Sequence, residues 1–364
     1  MKTRSHRPGM SAAWLGAMFA FALAATAASG ARLEPGYYAQ RPEVRAFIAE
    51  LVADEGFDEG ALSQLFAQAR YQPKVIAAVS QPLASPLKWY EYAPRFLEPE
   101  RVDAGLAFWR EHAATLARAE SELGVPAEVI VAILGVETYY GRNVGSYSVF
   151  DALTTLAFDY PRRAAFFRGE LKQFLLLTRE QGVSPLPARG SYAGAMGPAQ
   201  FMPSSIRAFG IDFDADGRVD LVENTDDVIG SVANYLSRFG WEPGQPIMEA
   251  ARIETESAEL DVLRELDEGI TDRRSLAAWV REGVTGFAIP GDLAPDPVGL
   301  LQLEEPSVPS YWLVFNNWYV LTRYNQSRLY ASAVWMLAQA LKSAPGEDRS
   351  GRLSRGATAT ARAQ

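Results

Sequence analysis

Cysteine is absent from all 364 residues, and histidine occurs only twice, at His6 and His112. Without thiols there is no disulfide, no thiolate nucleophile, no cysteine-type zinc site and no cysteine to carry a lipid. With so little histidine a multi-histidine metal centre is excluded. A Ser-His-Asp triad would have to rest on His112, which has no supporting motif around it. Beyond the N-terminus no stretch is apolar for long enough to cross a bilayer. Basic side chains are outnumbered by acidic ones, 35 to 44, so nucleic acid is not an expected partner. Catalysis, if present, has to rest on carboxylates.

The remaining composition, 48% hydrophobic and 22% charged, is that of a globular protein able to bury one large core or several smaller ones. The first residues differ. Lys2, Arg4 and Arg7 precede an apolar run from Ala12 to Ala28, which passes into the small residues Ser29, Gly30 and Ala31. This is the order of a secretory signal peptide, expected over residues 1–31 and removed on export to the periplasm. An uncleaved anchor is the alternative, but the alanine-rich run and its small-residue sites favour cleavage and no permanent membrane anchor. Removal leaves 32 basic against 44 acidic side chains.

Apolar residues then recur at helical spacing over Pro42 to Ala78, and a Pro- and aromatic-rich connection follows through Trp89, Tyr90, Tyr92 and Phe96. Residues 32–100 read as a helical region with its connection. Helical periodicity returns from Val102 to Glu122, resumes after Pro126, and recurs over Arg162 to Gln181 and Asp226 to Phe239, which sets 101–242 as a helical core. Residues 243–309 lose that regularity and read as a small α+β insertion. Helix resumes from Trp312 to Leu341, giving 310–342 as a C-terminal part of the core, and 343–364 read as a disordered tail. The expected class is mainly α (α+β).

The segment Val125-Pro-Ala-Glu-Val-Ile-Val-Ala-Ile-Leu-Gly-Val-Glu137 opens with Pro126 near the first helical position and becomes strongly apolar. Glu137 follows Ile130, Ile133 and Leu134 by seven, four and three residues, on the face such a helix buries. Burial there disfavours the charged form and raises the pKa, which suits a group that gives a proton to a leaving oxygen and later takes one back. By spacing alone, a core glutamate satisfied by a neighbouring backbone group or arginine is the better explanation. Thr138, Tyr139, Tyr140, Gly141 and Arg142 supply a polar, aromatic helix exit fit to open onto a saccharide cleft.

The run Gly135-Val-Glu-Thr-Tyr-Tyr-Gly141 resembles the lytic murein transglycosylase B family. The likeness extends through Gly194-Ala-Met-Gly-Pro-Ala-Gln-Phe-Met-Pro-Ser-Ser205 and Gly230-Ser-Val-Ala-Asn-Tyr235, in the family's order, and covers about Pro35 to Leu341. It implies a lysozyme-like helical core with an added helical domain and a small β-containing domain. It also implies cleavage of the bond between N-acetylmuramic acid and N-acetylglucosamine in peptidoglycan strands, with Glu137 as acid and then base. The C6 hydroxyl of muramic acid, not water, is the implied acceptor, and no catalytic cofactor is needed. No second carboxylate occupies a comparable apolar setting near Glu137, which agrees with this reading.

The resemblance further implies that Ser191 bonds the catalytic carboxylate and that Gln200, with Phe201 beside it, meets substrate. Tyr92, Tyr324, Asn325 and Tyr330 match cleft positions, and Arg162 and Arg163 match a basic pair near the substrate. Each has a plainer reading as loop satisfaction, core aromatic or surface charge. Cell-wall synthesis enzymes are admissible protein partners.

Asp212-Phe-Asp214-Ala-Asp216-Gly217-Arg218-Val-Asp220-Leu-Val-Glu223 fits the EF-hand loop, with glycine at the sixth position and glutamate at the twelfth. The expected ion is structural Ca2+, held by Asp212, Asp214, Asp216 and the Arg218 carbonyl. The spacing closes the loop with Glu223, whereas the resemblance implies a longer loop closed by Asp226, so both stay open. A hydrolytic muramidase and an inactive, calcium-stabilised peptidoglycan binder are the rival readings.

Overall fold

The computed structural model describes residues 36–81, 87–254, 266, 270–288 and 297–344. The expected signal peptide and almost all of the expected tail lie outside the described residues.

The N-terminal helices are α1 (Tyr37–Gln40), α2 (Pro42–Glu55), α3 (Glu59–Gln68) and α4 (Pro73–Ser80). Proline at the first position starts α2 and α4, and the Asp58 carboxylate caps α3 by accepting from the Ala61 amide. The Pro- and aromatic-rich tract, read as an irregular connection, instead forms α5 (Trp89–Tyr92) and a 3-10 turn over Ala93–Arg95. Its local fold is set by the Lys88 amide donating to the Glu91 carboxylate at 3.1 Å and the Glu91 amide donating to Lys88 O at 3.0 Å.

The core begins with α6 (Pro99–Glu111), α7 (Ala113–Leu123) and α8 (Ala127–Thr138). A single helix from Val102 to Glu122 was the expectation; the chain breaks at His112, which leaves the helical region. All of α8 is buried, packed against α6, α7 and the later helices Thr225–Arg238 and Arg328–Ser343, so Glu137 sits on a helix almost wholly removed from solvent. Next come α9 (Val149–Asp159), α10 (Ala164–Glu180), α11 (Pro203–Phe209) and α12 (Thr225–Arg238). The strands β1 (Tyr147–Ser148) and β2 (Arg189–Gly190) pair antiparallel among them. The N-terminal helices dock on α9 through aromatic contacts, Phe66 on Phe150 at 5.4 Å and Phe47 on Phe158 at 5.8 Å.

Residues after Pro243 form a four-stranded antiparallel sheet of order β4-β3-β6-β5. Its elements are β3 (Met248–Ile253), α13 (Leu276–Arg281), β4 (Val284–Thr285), β5 (Gly299–Leu303) and β6 (Ser310–Val314). Leu301 and Leu303 face the main core, while Leu300 and Leu313 face a second small core around Trp279. That is the period-two alternation of a sheet covered on both faces. The expected helical restart at Trp312 is corrected by β6, whose pairing with β3 and β5 claims Trp312 and Leu313. Helix resumes as α14 (Asn316–Tyr324) and α15 (Arg328–Ser343). The molecule is thus a helical body with small sheets, as the fold reading expected.

Candidate active site and metal loop

Glu137 is the penultimate residue of α8 and is 8% exposed. Burial pushes its pKa up from 4.5 to about 7, and the neighbouring Tyr330 hydroxyl counters part of that rise. Among the described residues it has no ion pair. The Tyr92, Tyr324 and Tyr330 hydroxyls all lie within electrostatic reach, and each is held above its ordinary pKa by burial first and by the Glu137 charge second. Tyr324 and Tyr330 stack at 6.3 Å and 11°. Asn325 Oδ1 and Gln200 Oε1 are buried without a hydrogen-bond partner, and the buried Tyr330 hydroxyl has none besides the Glu137 carboxyl that it steadies. Orphaned polar groups cost stability unless a ligand satisfies them.

Helix α8 stops immediately after the glutamate. Tyr139 and Tyr140 take consecutive left-handed conformations, φ 55 and 58, which is unfavourable for residues with a Cβ. The turn is held by the Tyr139 amide donating to Gly135 O and the Tyr140 amide to Leu134 O. The Tyr140 ring enters between α6 and α8, where a Cβ on Gly105 or Gly135 would come within 2.4 or 2.7 Å of its hydroxyl.

Thr138 ties a second wall to the helix end, because its hydroxyl donates to Pro198 O at 2.8 Å and accepts from the Gly141 amide at 2.9 Å. Tyr324 Oη donates to Ala199 O at 2.7 Å. The loop 194–201 is therefore fixed beside Glu137 from two sides. Within it Gln200 holds φ 50, and its Nε2 donates to Val144 O and Gly197 O. The glycine at 197 is required by space, since a Cβ there would lie 1.9 Å from Leu221 O of the acidic loop.

The expected hydrogen bond from Ser191 to Glu137 is not made. Ser191 is buried, and its Oγ accepts from the Ala195 amide at 3.0 Å within the tight turn Ser191–Ala195. Phe201 is 1% exposed and packs on Tyr235 and Tyr324 at 5.5 and 5.6 Å, so it forms the floor beneath the loop and presents no open face. Arg162 is exposed and Arg163 half-buried on the 3-10 turn Pro161–Arg163. That turn packs on α9 and α10, and the Arg163 guanidinium lies over Phe166 at 4.2 Å.

The acidic loop lies between α11 and α12. Asp212 accepts from the Asp216 and Gly217 amides, Asp214 from the Asp216 amide and the Asn224 side-chain amide, and Asp216 from the Arg218 amide. The Asn224 bond holds the Asp214 carboxyl below its ordinary pKa. Asp214, Asp216, Arg218, Asp220, Glu223 and Asp226 line one open pocket. Asp226 Oδ1 accepts from Thr115 at 2.6 Å, which leaves its other oxygen available. Carboxylate oxygens of Asp212, Asp214 and Asp227 lie within 4.8 Å of one another.

Asp227 was missed by the sequence reading. It is fully buried and accepts from the Phe213 and Asp220 amides, each at 2.7 Å, pinning both limbs of the loop to α12. Only its place in the first turn of the next helix hints at this role. An all-oxygen set of this density fits a hard divalent cation such as Ca2+.

With this geometry in view, comparison with known proteins gives one consistent result. The sequence profile of the transglycosylase SLT domain matches residues 39–339. The chain is 37% identical over 333 residues to membrane-bound lytic murein transglycosylase B of Escherichia coli K12, covering 87% of this chain and 89% of that protein. Soluble lytic transglycosylase SltB1 from Pseudomonas aeruginosa is 45% identical, with TM-score 0.77 over 82% of this chain and 98% of that one. Escherichia coli Slt35, solved in complex with calcium, is 38% identical, with TM-score 0.76 over 84% of this chain and 94% of that one.

Proposed function

This chain belongs to the transglycosylase SLT domain family, and on that premise we propose that Glu137 is the single acid and base with which it cleaves peptidoglycan glycan strands. The enzyme is a lytic transglycosylase. The observation that carries the role of Glu137 is its burial without a cationic partner, with a pKa of about 7. A carboxyl in that state is protonated in a useful fraction of molecules at neutral pH and regenerates readily.

In the proposed sequence Glu137 gives its proton to the glycosidic oxygen as the bond to the anomeric carbon of N-acetylmuramic acid breaks. The resulting carboxylate takes the proton of the C6 hydroxyl of the same sugar, and O6 bonds the anomeric carbon. The product is a 1,6-anhydro ring; no water is consumed and Glu137 ends protonated. Asn325 and Gln200 supply unpartnered polar atoms for the substrate, Tyr330 steadies the Glu137 carboxyl, and Tyr92 and Tyr324 are aromatic walls. Ser191 and Phe201 support the loop from beneath, and Arg162 and Arg163 serve an outlying part of a long strand.

For the acidic loop we take Ca2+ held by Asp212, Asp214, Asp216, the Arg218 carbonyl and Asp226, with a structural role: the ion would neutralise crowded carboxylates and stiffen the segment that abuts Gly197. Export to the periplasm and partnership with cell-wall synthesis enzymes complete the reading. Mass spectrometry of fragments released from purified sacculi tests it. Muropeptides ending in the anhydro form are the expected product, and ends one water heavier would instead identify a hydrolytic muramidase.

A further inference from the structure

Arg101, in the first turn of α6, carries a half-buried guanidinium that has no ion pair among the described residues. Its Nη1 donates to Gly135 O at 2.5 Å, two residues before Glu137 on the same helix. The guanidinium lies over the Tyr139 ring at 4.5 Å and the Phe96 ring at 5.4 Å. Phe96 in turn packs on Tyr92 at 5.0 Å, one of the tyrosines around Glu137. The carbonyl of Arg101 receives the Tyr140 hydroxyl at 2.9 Å.

Burial is unfavourable for this cation and pulls its pKa down. Its Nε is buried with no partner. A structural arginine would be expected to ion-pair with a carboxylate; among the described residues this one contacts the Gly135 carbonyl of α8 and two aromatic faces, with Glu98 only at electrostatic range. The carbonyl end of a helix favours a cation, and the planar guanidinium can stack and donate at once. Both of the left-handed residues that end α8 are thereby gripped, Tyr139 by its ring and Tyr140 by its hydroxyl.

We propose that Arg101 is a positioning residue for the transglycosylase reaction, a clamp that fixes the end of α8 against the Tyr92 wall and so sets where the Glu137 carboxyl stands relative to the glycosidic oxygen. This rests on the reading of Glu137 as the catalytic acid. A shift of the order of 1 Å at such a group costs up to about a hundredfold in rate without weakening substrate binding comparably.

The test is kinetics on soluble uncross-linked glycan strands with the full mature chain, comparing Arg101→Met, Arg101→Lys and Tyr139→Leu, with Glu137→Gln as a control. Arg101→Met is expected to lower kcat about tenfold or more with KM within about twofold. Arg101→Lys should recover part of the loss, because lysine reaches the carbonyl but cannot stack as a plane. Tyr139→Leu should lower kcat in the same sense, and decides the matter if Arg101→Met does not fold. Wild-type kcat in the folded variants, or a loss confined to KM, overturns the clamp. Turnover retained by Glu137→Gln would instead remove the acid itself, a result the Arg101 variants do not mimic.

Discussion

Two acidic regions of this molecule use the same functional group in opposite surroundings. At Glu137 a lone carboxyl is buried on a helix almost wholly removed from solvent, receives no backbone amide and no cation, and is driven toward its neutral form. In the loop 212–227 carboxylates crowd together, and apart from the buried Asp227, which desolvation raises, they are largely solvated; Asp212, Asp214, Asp216 and Asp220 each accept from backbone amides that favour the ionised form. The difference teaches that hydration and donors, not residue type, decide whether a carboxyl handles protons or holds cations. The two regions touch at one seam, where Gly197 meets the Leu221 carbonyl.

The largest expected effect falls on the dry side. Glu137→Gln keeps the shape but removes the transferable proton, and should depress glycan cleavage by about a thousandfold or more in a sacculus-solubilisation assay. In the native enzyme the rate should fall about tenfold per pH unit once the pH rises beyond the Glu137 pKa of about 7, because the proton donor is then lost.

The same substitution should stabilise the fold, and its pH dependence separates the two environments. The folded-state pKa of Glu137 lies above its unfolded value, 7 against 4.5. Its contribution is therefore most favourable below pH 4.5 and is lost as the pH rises toward 7. Chemical denaturation should find Glu137→Gln close to the native protein near pH 4.5 and more stable by about 3 kcal/mol above pH 7. A constant difference across that window would mean the carboxyl is not desolvated.

On the wet side the effects should be smaller and metal-dependent. Calcium at a hundred times its Kd should add about 2.7 kcal/mol of stability, read as a rise in Tm that a chelator reverses. Asp226→Asn should abolish most of that rise while Glu223→Gln leaves it, if Asp226 closes the loop; the reverse result assigns closure to Glu223. Smallest is Asp227→Asn, which removes one acceptor from the buried pair of amides at Phe213 and Asp220 and should cost about 1–3 kcal/mol with or without metal.

Much of this was readable along the chain because the signals are local. The apolar run from Val129 to Val136 announces a buried helix, and the Glu137 that follows it is conspicuous. The Asp-x-Asp-x-Asp-Gly spacing is an all-oxygen cation loop in one dimension. The broken, Pro- and Gly-rich stretch after Pro243 foretells the small sheet, although Trp312 and Leu313 were drawn into a strand by pairing partners far away in sequence. The break at His112 had no strong local mark.

Residues whose role depends on a distant partner were not legible. Nothing near Arg101 says that its guanidinium lies against the Gly135 carbonyl, and Asp227 looked like any acidic residue in a helix's first turn. The bonding of Ser191 was not legible either: its Oγ accepts from the Ala195 amide, which only the turn brings close.

By itself the sequence determined the composition of both acidic regions: a single carboxyl set among apolar neighbours, and a run of aspartates spaced for alternate ligation. Hydrophobic periodicity and turn chemistry act over a few residues, so they survive being read in order. The tertiary structure decided which groups face Glu137, that Asn325 Oδ1 and Gln200 Oε1 are buried without partners, and which amides hold the cation loop. Those outcomes depend on desolvation and on contacts between segments far apart in the chain, and neither exists until the chain has packed.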